Sequence, residues 1–299
     1  MRRYALVEAG GSKFMCGVAD ERRRLIAVRR LPTTDPPNTL AAVRAFFDEH
    51  AVSAEPFAAG GVASFGPIDL DASSPTYGQL RNTPKPGWSG ANVRSVLASV
   101  TSVIGLDSDV NAACLAEASW GAGIGRGTVA YATIGTGIGV GVVQDGRPMR
   151  GAAHSEIGHI PVSRDWADDW FEGLCPYHGD CLEGLACGPA IHDRWGTALD
   201  ALPPYHVAHN LQASYIAQLC VSVIYSFAPD VIILGGGVMQ TPRLIEKTRA
   251  RVLQLLGGYW TPAIKHGDLR DYIVSPGLDH SGLWGALALA LAAERAASR

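Results

Sequence analysis

The chain has 299 residues, enough for one large domain or two lobes, and 47% of them are apolar, ample for a buried core. A net charge of −3 with no block of like charge disfavours nucleic acid and anionic membranes as partners. The opening M-R-R-Y-A-L-V-E has no apolar run suited to a secretory signal, no stretch reaches the roughly 18 apolar residues that span a bilayer, and six cysteines do not make a disulfide framework; the expectation is a cytoplasmic protein.

Tyr4 to Glu8 is a short apolar run that ends in G-G-S-K, and strand character resumes from Phe14 to Ala19. Strand, glycine turn, strand predicts a hairpin whose backbone N–H groups at Gly10, Gly11, Ser12 and Lys13 can face a phosphate. The pattern is not a Walker A loop. Thr39 to His50 places Leu40, Val43, Phe46 and Phe47 at helical spacing. Phe57 to Val62 reads as a strand and is followed by A-S-F-G-P-I, which contains Gly66. Residues 71–90 are rich in Ser, Pro, Gly and Asn and read as loop; Asn82 lies there, in R-N-T-P-K-P-G-W, as a ligand contact or an Asx turn. Asn92 to Ser99 is expected to be helical. In L-D-S-D-V-N-A-A-C-L-A-E a strand runs into a helix of small residues, so that side chains open onto a site. Asp107 and Asp109 compete there for the role of base, and either could be a helix N-cap.

Gly127 to Gln144 holds a second glycine cluster, T-I-G-T-G-I-G-V-G-V-V, flanked by strands at Val129–Ile134 and Val140–Val143. It repeats the first hairpin about 125 residues later, with Thr136 and Gly137 in its turn. Further on, G-P-A-I-H-D-R-W begins a helix with Pro189 in its first turn. A Pro-bearing connection over 200–207 leads to a long helix from Ala208 to Phe227. The buried strand P-D-V-I-I-L ends in Gly235, Gly236 and Gly237, where the backbone could lie against a nucleotide or simply turn. Helices at Pro242–Leu256 and His280–Ala297 and a strand at Asp271–Ser275 complete the chain.

Between the second hairpin and those elements lies the densest chemistry. His159, Cys175, His178 and Cys181 form H-x15-C-x2-H-x2-C. Two thiolates and two imidazoles suit a tetrahedral Zn²⁺ and leave no open position, which argues for a structural ion. Cys187 and His154 are alternative ligands. Glu156 and Glu183 flank the cluster, and an ordered metal loop would fix both carboxylates as acceptors for a polyol.

These motifs together resemble the ROK family of sugar kinases and repressors, over nearly the whole chain. Two strand–glycine–strand hairpins around a D-V-N-A-A segment mark its actin-like ATPase (ribonuclease H-like) α/β fold, two lobes around a nucleotide and sugar cleft. The resemblance implies an N-terminal lobe at 1–113, with the last helix, 281–299, packed back on it. The second lobe would be 114–280 with a zinc loop at 159–181. It places the catalytic aspartate on Asp109, ATP at Gly10, Gly11, Ser12, Lys13, Thr136, Gly137, Pro189, Gly235, Gly236 and Gly237, and a water-bridged Mg²⁺ at Glu8. Sugar contacts fall on Gly66, Asn82, Glu156, His159 and Glu183.

C-P-Y-H-G-D-C-L-E-G is most similar to the family's zinc-containing fructokinases, and Ser108 stands where many of its glucokinases carry Asn. The implied reaction is ATP-dependent phosphorylation of fructose, with mannose, glucose or N-acetylmannosamine as alternative hexoses. A homodimer is common in the family. Its sugar-responsive regulators carry a DNA-binding domain before the first phosphate loop, which here begins at Glu8, so a regulator is the lesser alternative.

Overall fold

The structure is a computed structural model and describes residues 2–52, 56–164, 169–259 and 269–298. The chain forms two compact units, one of Met1–Glu117, Pro148–His154 and Leu278–Arg299, the other of Ala118–Arg147 and Ser155–Gly277.

The first unit opens with β1 (Arg3–Ala9), β2 (Lys13–Asp20) and β3 (Leu25–Pro32). β1 and β2 are nearly all buried, whereas β3 alternates half-buried and exposed residues, as an edge strand does. Asp20 closes the β2–β3 turn by accepting the amides of Arg22 and Arg24, both at 2.9 Å. α1 (Pro36–Glu49) begins at Asp35, whose carboxylate caps the amide of Asn38 at 3.0 Å, and two prolines occupy its first turn. Its buried face is Thr39, Leu40, Val43, Phe46 and Phe47. β4 (Ala59–Ser64) and β5 (Ile104–Ser108) complete a sheet of order β3-β2-β1-β4-β5, antiparallel from β3 to β1 and parallel from β1 to β5.

The helix expected at Asn92–Ser99 is only a 3₁₀ turn, Arg94–Leu97. Asn92 and Ser95 satisfy each other's backbone there, and burial of Val96 and Leu97 is complete within one turn. α2 (Asp109–Trp120) follows β5 directly.

The second unit repeats the plan. β6 (Thr128–Ile134) and β7 (Ile138–Gln144) form an antiparallel hairpin, and the short β8 (Arg147–Pro148) lies beside β7. Short helix α3 (Leu182–Ala186) was not visible in the periodicity; α4 (Gly188–Trp195) and α5 (Val207–Phe227) follow it. β9 (Val231–Gly235), α6 (Leu244–Leu256) and β10 (Ile273–Val274) complete the unit. The sheet order is β10-β9-β6-β7-β8, with β6, β9 and β10 parallel. Counted within its own unit, each sheet has its first strand at the centre, a hairpin partner on one side and two parallel strands on the other.

The chain ends in α7 (Ser281–Ala297), which packs on β1, β4 and β5 of the first unit. Glycine makes that approach possible. A Cβ on Gly61 would lie 1.7 Å from the Ala286 carbonyl oxygen, and one on Gly105 would lie 2.3 Å from that of Leu289. The fully buried Glu117 holds the start of α7, accepting from the Leu278 amide at 3.1 Å and the Ser281 hydroxyl at 2.7 Å. All six cysteines are buried and free of disulfides, and no described helix is long and apolar enough to cross a membrane.

Candidate active site

In the first unit the turn from β5 to α2 sorts the two competing carboxylates. Asp107 is fully buried and accepts from the Ser108 amide at 2.8 Å, from Asn111 Nδ2 at 2.9 Å and from Arg150 Nε at 3.1 Å, with a second bond from the same guanidinium. Ser108 Oγ accepts the Asn111 amide at 3.3 Å, so the serine supplies the cap of α2. Asp109 is the first residue of α2 and is half-buried; its Oδ1 accepts the Val110 amide at 2.8 Å. The buried aspartate is thus enclosed by hydrogen-bond donors, and the other is only half-buried. Arg150 was missed in the sequence, where nothing marks a partner 43 residues from Asp107.

The first glycine turn joins β1 to β2, with Ala9 facing Phe14 and the Gly10 amide donating to the Lys13 carbonyl at 2.9 Å. Thr33 Oγ1 donates to the Gly10 carbonyl at 2.7 Å, which fixes the turn from β3. Ser12 and Lys13 are exposed. Glu8, on β1, lies beside Gly282 of α7, where a Cβ would come within 2.5 Å of its carboxyl carbon. Burial pushes the Glu8 carboxyl up, opposed by the charges of Lys13 and His280. Gly66 is joined to Pro67 by a cis bond, and Asn82 has a left-handed φ of 44°. The Arg81 amide donates to the Pro67 carbonyl at 2.7 Å, which brings those two stretches together.

In the second unit Gly135, Thr136 and Gly137 form the turn between β6 and β7, with Thr136 exposed. Two other segments meet it. The Gly188 amide, at the start of α4 beside Pro189, donates to the Gly135 carbonyl at 2.7 Å. The loop after β9 crosses Ile134: a Cβ on Gly236 would lie 2.3 Å from the Ile134 carbonyl oxygen. Thr136, Gly137, Pro189 and Gly235–Gly237 therefore gather at one end of this sheet.

The cysteine–histidine cluster lies in the same unit. His159 Nδ1 is 3.4 Å from Cys181 Sγ and 3.7 Å from Cys175 Sγ, while His178 Nδ1 is 3.5 Å from Cys175 Sγ. All four donor atoms fall within 4.8 Å of one another. Tetrahedral zinc with bonds of about 2.0–2.3 Å needs donors roughly 3.3–3.8 Å apart, and the three separations just given fall in that range. The Cys175 and Gly179 amides each donate to the other's carbonyl, at 3.1 and 2.9 Å, and Arg164 anchors Asp180 at 3.0 Å. Cys187, an alternative ligand, caps α4 outside the set, and His154 belongs to the first unit.

Glu156 is exposed, in the segment leading to His159. Glu183 lies on α3, and its Oε1 stands 3.9 Å from His159 Nε2. Its Oε2 accepts the Ile138 amide at 2.7 Å, just after the glycine turn. Glycine at 137 leaves room for that carboxylate, since a Cβ there would lie 2.7 Å from Oε2.

Two sheets of one strand plan, each opening on a glycine hairpin, define an actin-like ATPase fold of the ribonuclease H-like class. The chain matches the ROK family over residues 4–293 and belongs to it. It is 43% identical over 297 residues to a fructokinase of Zymomonas mobilis, covering 97% of both chains. It is 40% identical over 286 residues to a putative fructokinase of Bacillus subtilis, covering 95% of this chain and 94% of that one. A solved ROK hexokinase from Thermus thermophilus superposes with a TM-score of 0.76 at 26% identity, over 98% of this chain and 99% of that one.

Proposed function

We propose that this chain is an ATP-dependent fructokinase that converts ATP and D-fructose to ADP and D-fructose 6-phosphate. The observation that carries the chemistry is the place of Asp109, half-buried at the first position of α2 directly after β5, beside an Asp107 that is fully buried against Arg150 and Asn111. A fructokinase at 43% identity and a putative fructokinase at 40% support the choice of hexose.

In this reading Asp109 receives the proton of the fructose 6-hydroxyl as O6 bonds to the γ-phosphorus and the bond to the β-bridging oxygen breaks. An ordinary Asp has a pKa of about 3.9 and is a weak base at neutral pH, which suffices because phosphoryl transfer passes through a loose transition state. Most of the acceleration comes from holding the hydroxyl in line. The sugar hydroxyls are assigned to Gly66, Asn82, Glu156, Glu183 and the Nε2 side of His159. The nucleotide is assigned to Gly10–Lys13, Thr136, Gly137, Pro189 and Gly235–Gly237. Glu8 would hold Mg²⁺ through water, and bound Mg²⁺ supplies neutralising charge on the phosphates.

His159, Cys175, His178 and Cys181 would hold Zn²⁺ as a structural ion, supported by three donor spacings in the range that tetrahedral zinc needs. With Nδ1 turned to the thiols, Nε2 of His159 is left on the side of Glu183.

The test is ADP release by purified protein with ATP, Mg²⁺ and each of fructose, mannose, glucose and N-acetylmannosamine. Fructose is expected to have the highest kcat/KM. A preference for glucose of about tenfold, some 1.4 kcal/mol in the transition state, would assign the protein to glucose instead.

A further inference from the structure

We propose that His154 is a positioning residue for the hexose, holding the Gly66–Pro67–Ile68 turn in shape for the sugar. The inference rests on the kinase reading and adds a residue to it.

The Ile68 amide donates to His154 Nε2 at 3.1 Å across 86 residues of sequence. An accepting Nε2 is the bare nitrogen of a neutral ring whose proton sits on Nδ1. The ring also forms the wall against which Gly66 rests, since a Cβ on Gly66 would stand 3.0 Å from Cε1 and 3.2 Å from Nε2 of His154. Three backbone bonds also fasten this stretch. Phe65 donates to the Ala9 carbonyl at 2.8 Å, Asp69 to that of Gln79 at 2.9 Å, and Arg81 to that of Pro67 at 2.7 Å. His154 adds a side-chain anchor from 86 residues away in sequence, at Ile68 itself.

Two features make the anchor effective. The segment that carries His154, Pro148–His154, is itself tied to the first unit by Arg150 on the buried Asp107. The turn is coupled onward through the Pro67 carbonyl to Arg81, the neighbour of Asn82. Arg81 is also bound to Asp69, which accepts the hydroxyls of Ser74 and Thr76, both at 2.6 Å. Loss of the imidazole would leave the Ile68 amide without its acceptor and release Gly66 on one side and Asn82 on the other.

The experiment compares wild type with His154→Ala and His154→Gln, using whichever hexose the wild type phosphorylates best. The alanine variant is expected to raise the KM for that hexose about tenfold, the scale of one lost hydrogen bond, and to leave the KM for ATP in place. The glutamine variant, whose Oε1 can reach the position of Nε2, is expected to restore the sugar KM. If the alanine variant does not fold, His154→Asn takes its place, keeping a polar group too short to reach Ile68. A wild-type sugar KM in the truncated variant, equal rises in both KM values, or no rescue by glutamine would overturn the proposal. A wild type that prefers a hexose other than fructose would overturn only the choice of substrate.

Discussion

Glu183 joins two parts of the second unit through one carboxylate: Oε2 accepts the Ile138 amide at 2.7 Å, and Oε1 stands 3.9 Å from Nε2 of His159. The first contact fixes the end of a glycine hairpin, and the second faces a residue of the cysteine–histidine cluster. On the proposed assignment, removing the carboxylate would affect the nucleotide-binding hairpin and the sugar-contacting His159 together. Glu183→Ala is expected to raise the KM for both fructose and ATP by about tenfold or more, since a charge-assisted acceptor is lost. Glu183→Gln keeps an acceptor for Ile138 and should raise chiefly the fructose KM. Steady-state kinetics with each substrate varied in turn decides this, and an unchanged ATP KM in the alanine variant would count against the shared role.

Asp107 carries a different expectation from its neighbour two residues on. Asp107→Asn keeps the size of the side chain but strands the guanidinium of Arg150. The Arg150 side chain is 39% exposed and so remains partly hydrated, which keeps the loss near ~1–3 kcal/mol rather than the larger cost of a fully buried orphan charge. The urea midpoint should fall with little change in slope. An unchanged midpoint would show that the Arg150 contact does not contribute to stability.

Close packing of α7 gives a third expectation. Gly61→Ala places a methyl 1.7 Å from a backbone oxygen that no rotamer change can move, so α7 must shift. The cost should reach about 3 kcal/mol, the upper end for overpacked cores. Gly151→Ala, exposed and with nothing near its added methyl, is the control and should stay within about 0.5 kcal/mol of wild type. Chemical denaturation of the two variants side by side checks this; equal stabilities would contradict the packing of α7 on β4.

Metal removal is the fourth. Burial pushes the Cys181 thiol up to about 11, so zinc must displace a proton to bind its thiolate. Protons compete with the ion, and zinc retention should therefore fall as pH is lowered from about 8 to 5. Cys175→Ala should lose zinc at neutral pH, lower the thermal midpoint and raise the fructose KM, with no recovery in excess Mg²⁺. Metal analysis across pH is the check, and full zinc content in Cys175→Ala would exclude the assigned ligand set.

Most of the fold was legible where a local rule decides the outcome. The two hairpins follow from apolar runs broken by glycine, and α1, α5 and α7 from helical spacing over three turns or more. β3 is not marked in the sequence because L-I-A-V-R-R-L-P does not alternate apolar and polar residues: its burial alternates, but its exposed positions are Ile26, Val28, Arg30 and Pro32. α3 has five residues, too few to show a period. Asn92–Ser99 shows helical spacing, but Asn92 and Ser95 settle their backbone groups locally and the turn stops at Leu97. In the site, the H-x15-C-x2-H-x2-C spacing picks out four side chains that the structure brings together, and the D-V-N-A-A segment picks out the turn from β5 into α2. What remained hidden were partnerships across sequence, Arg150 with Asp107 and His154 with Ile68, which no local pattern encodes.

The account stands or falls on Asp109 acting as base toward fructose. The direct measurement is kcat for fructose phosphorylation by wild type and Asp109→Asn, with ATP affinity measured on both. Asparagine keeps the size of the side chain and removes its capacity to hold the proton. The account predicts a fall in kcat of roughly 10²–10⁴ with ATP affinity retained. Turnover of fructose by Asp109→Asn at the wild-type rate would contradict it.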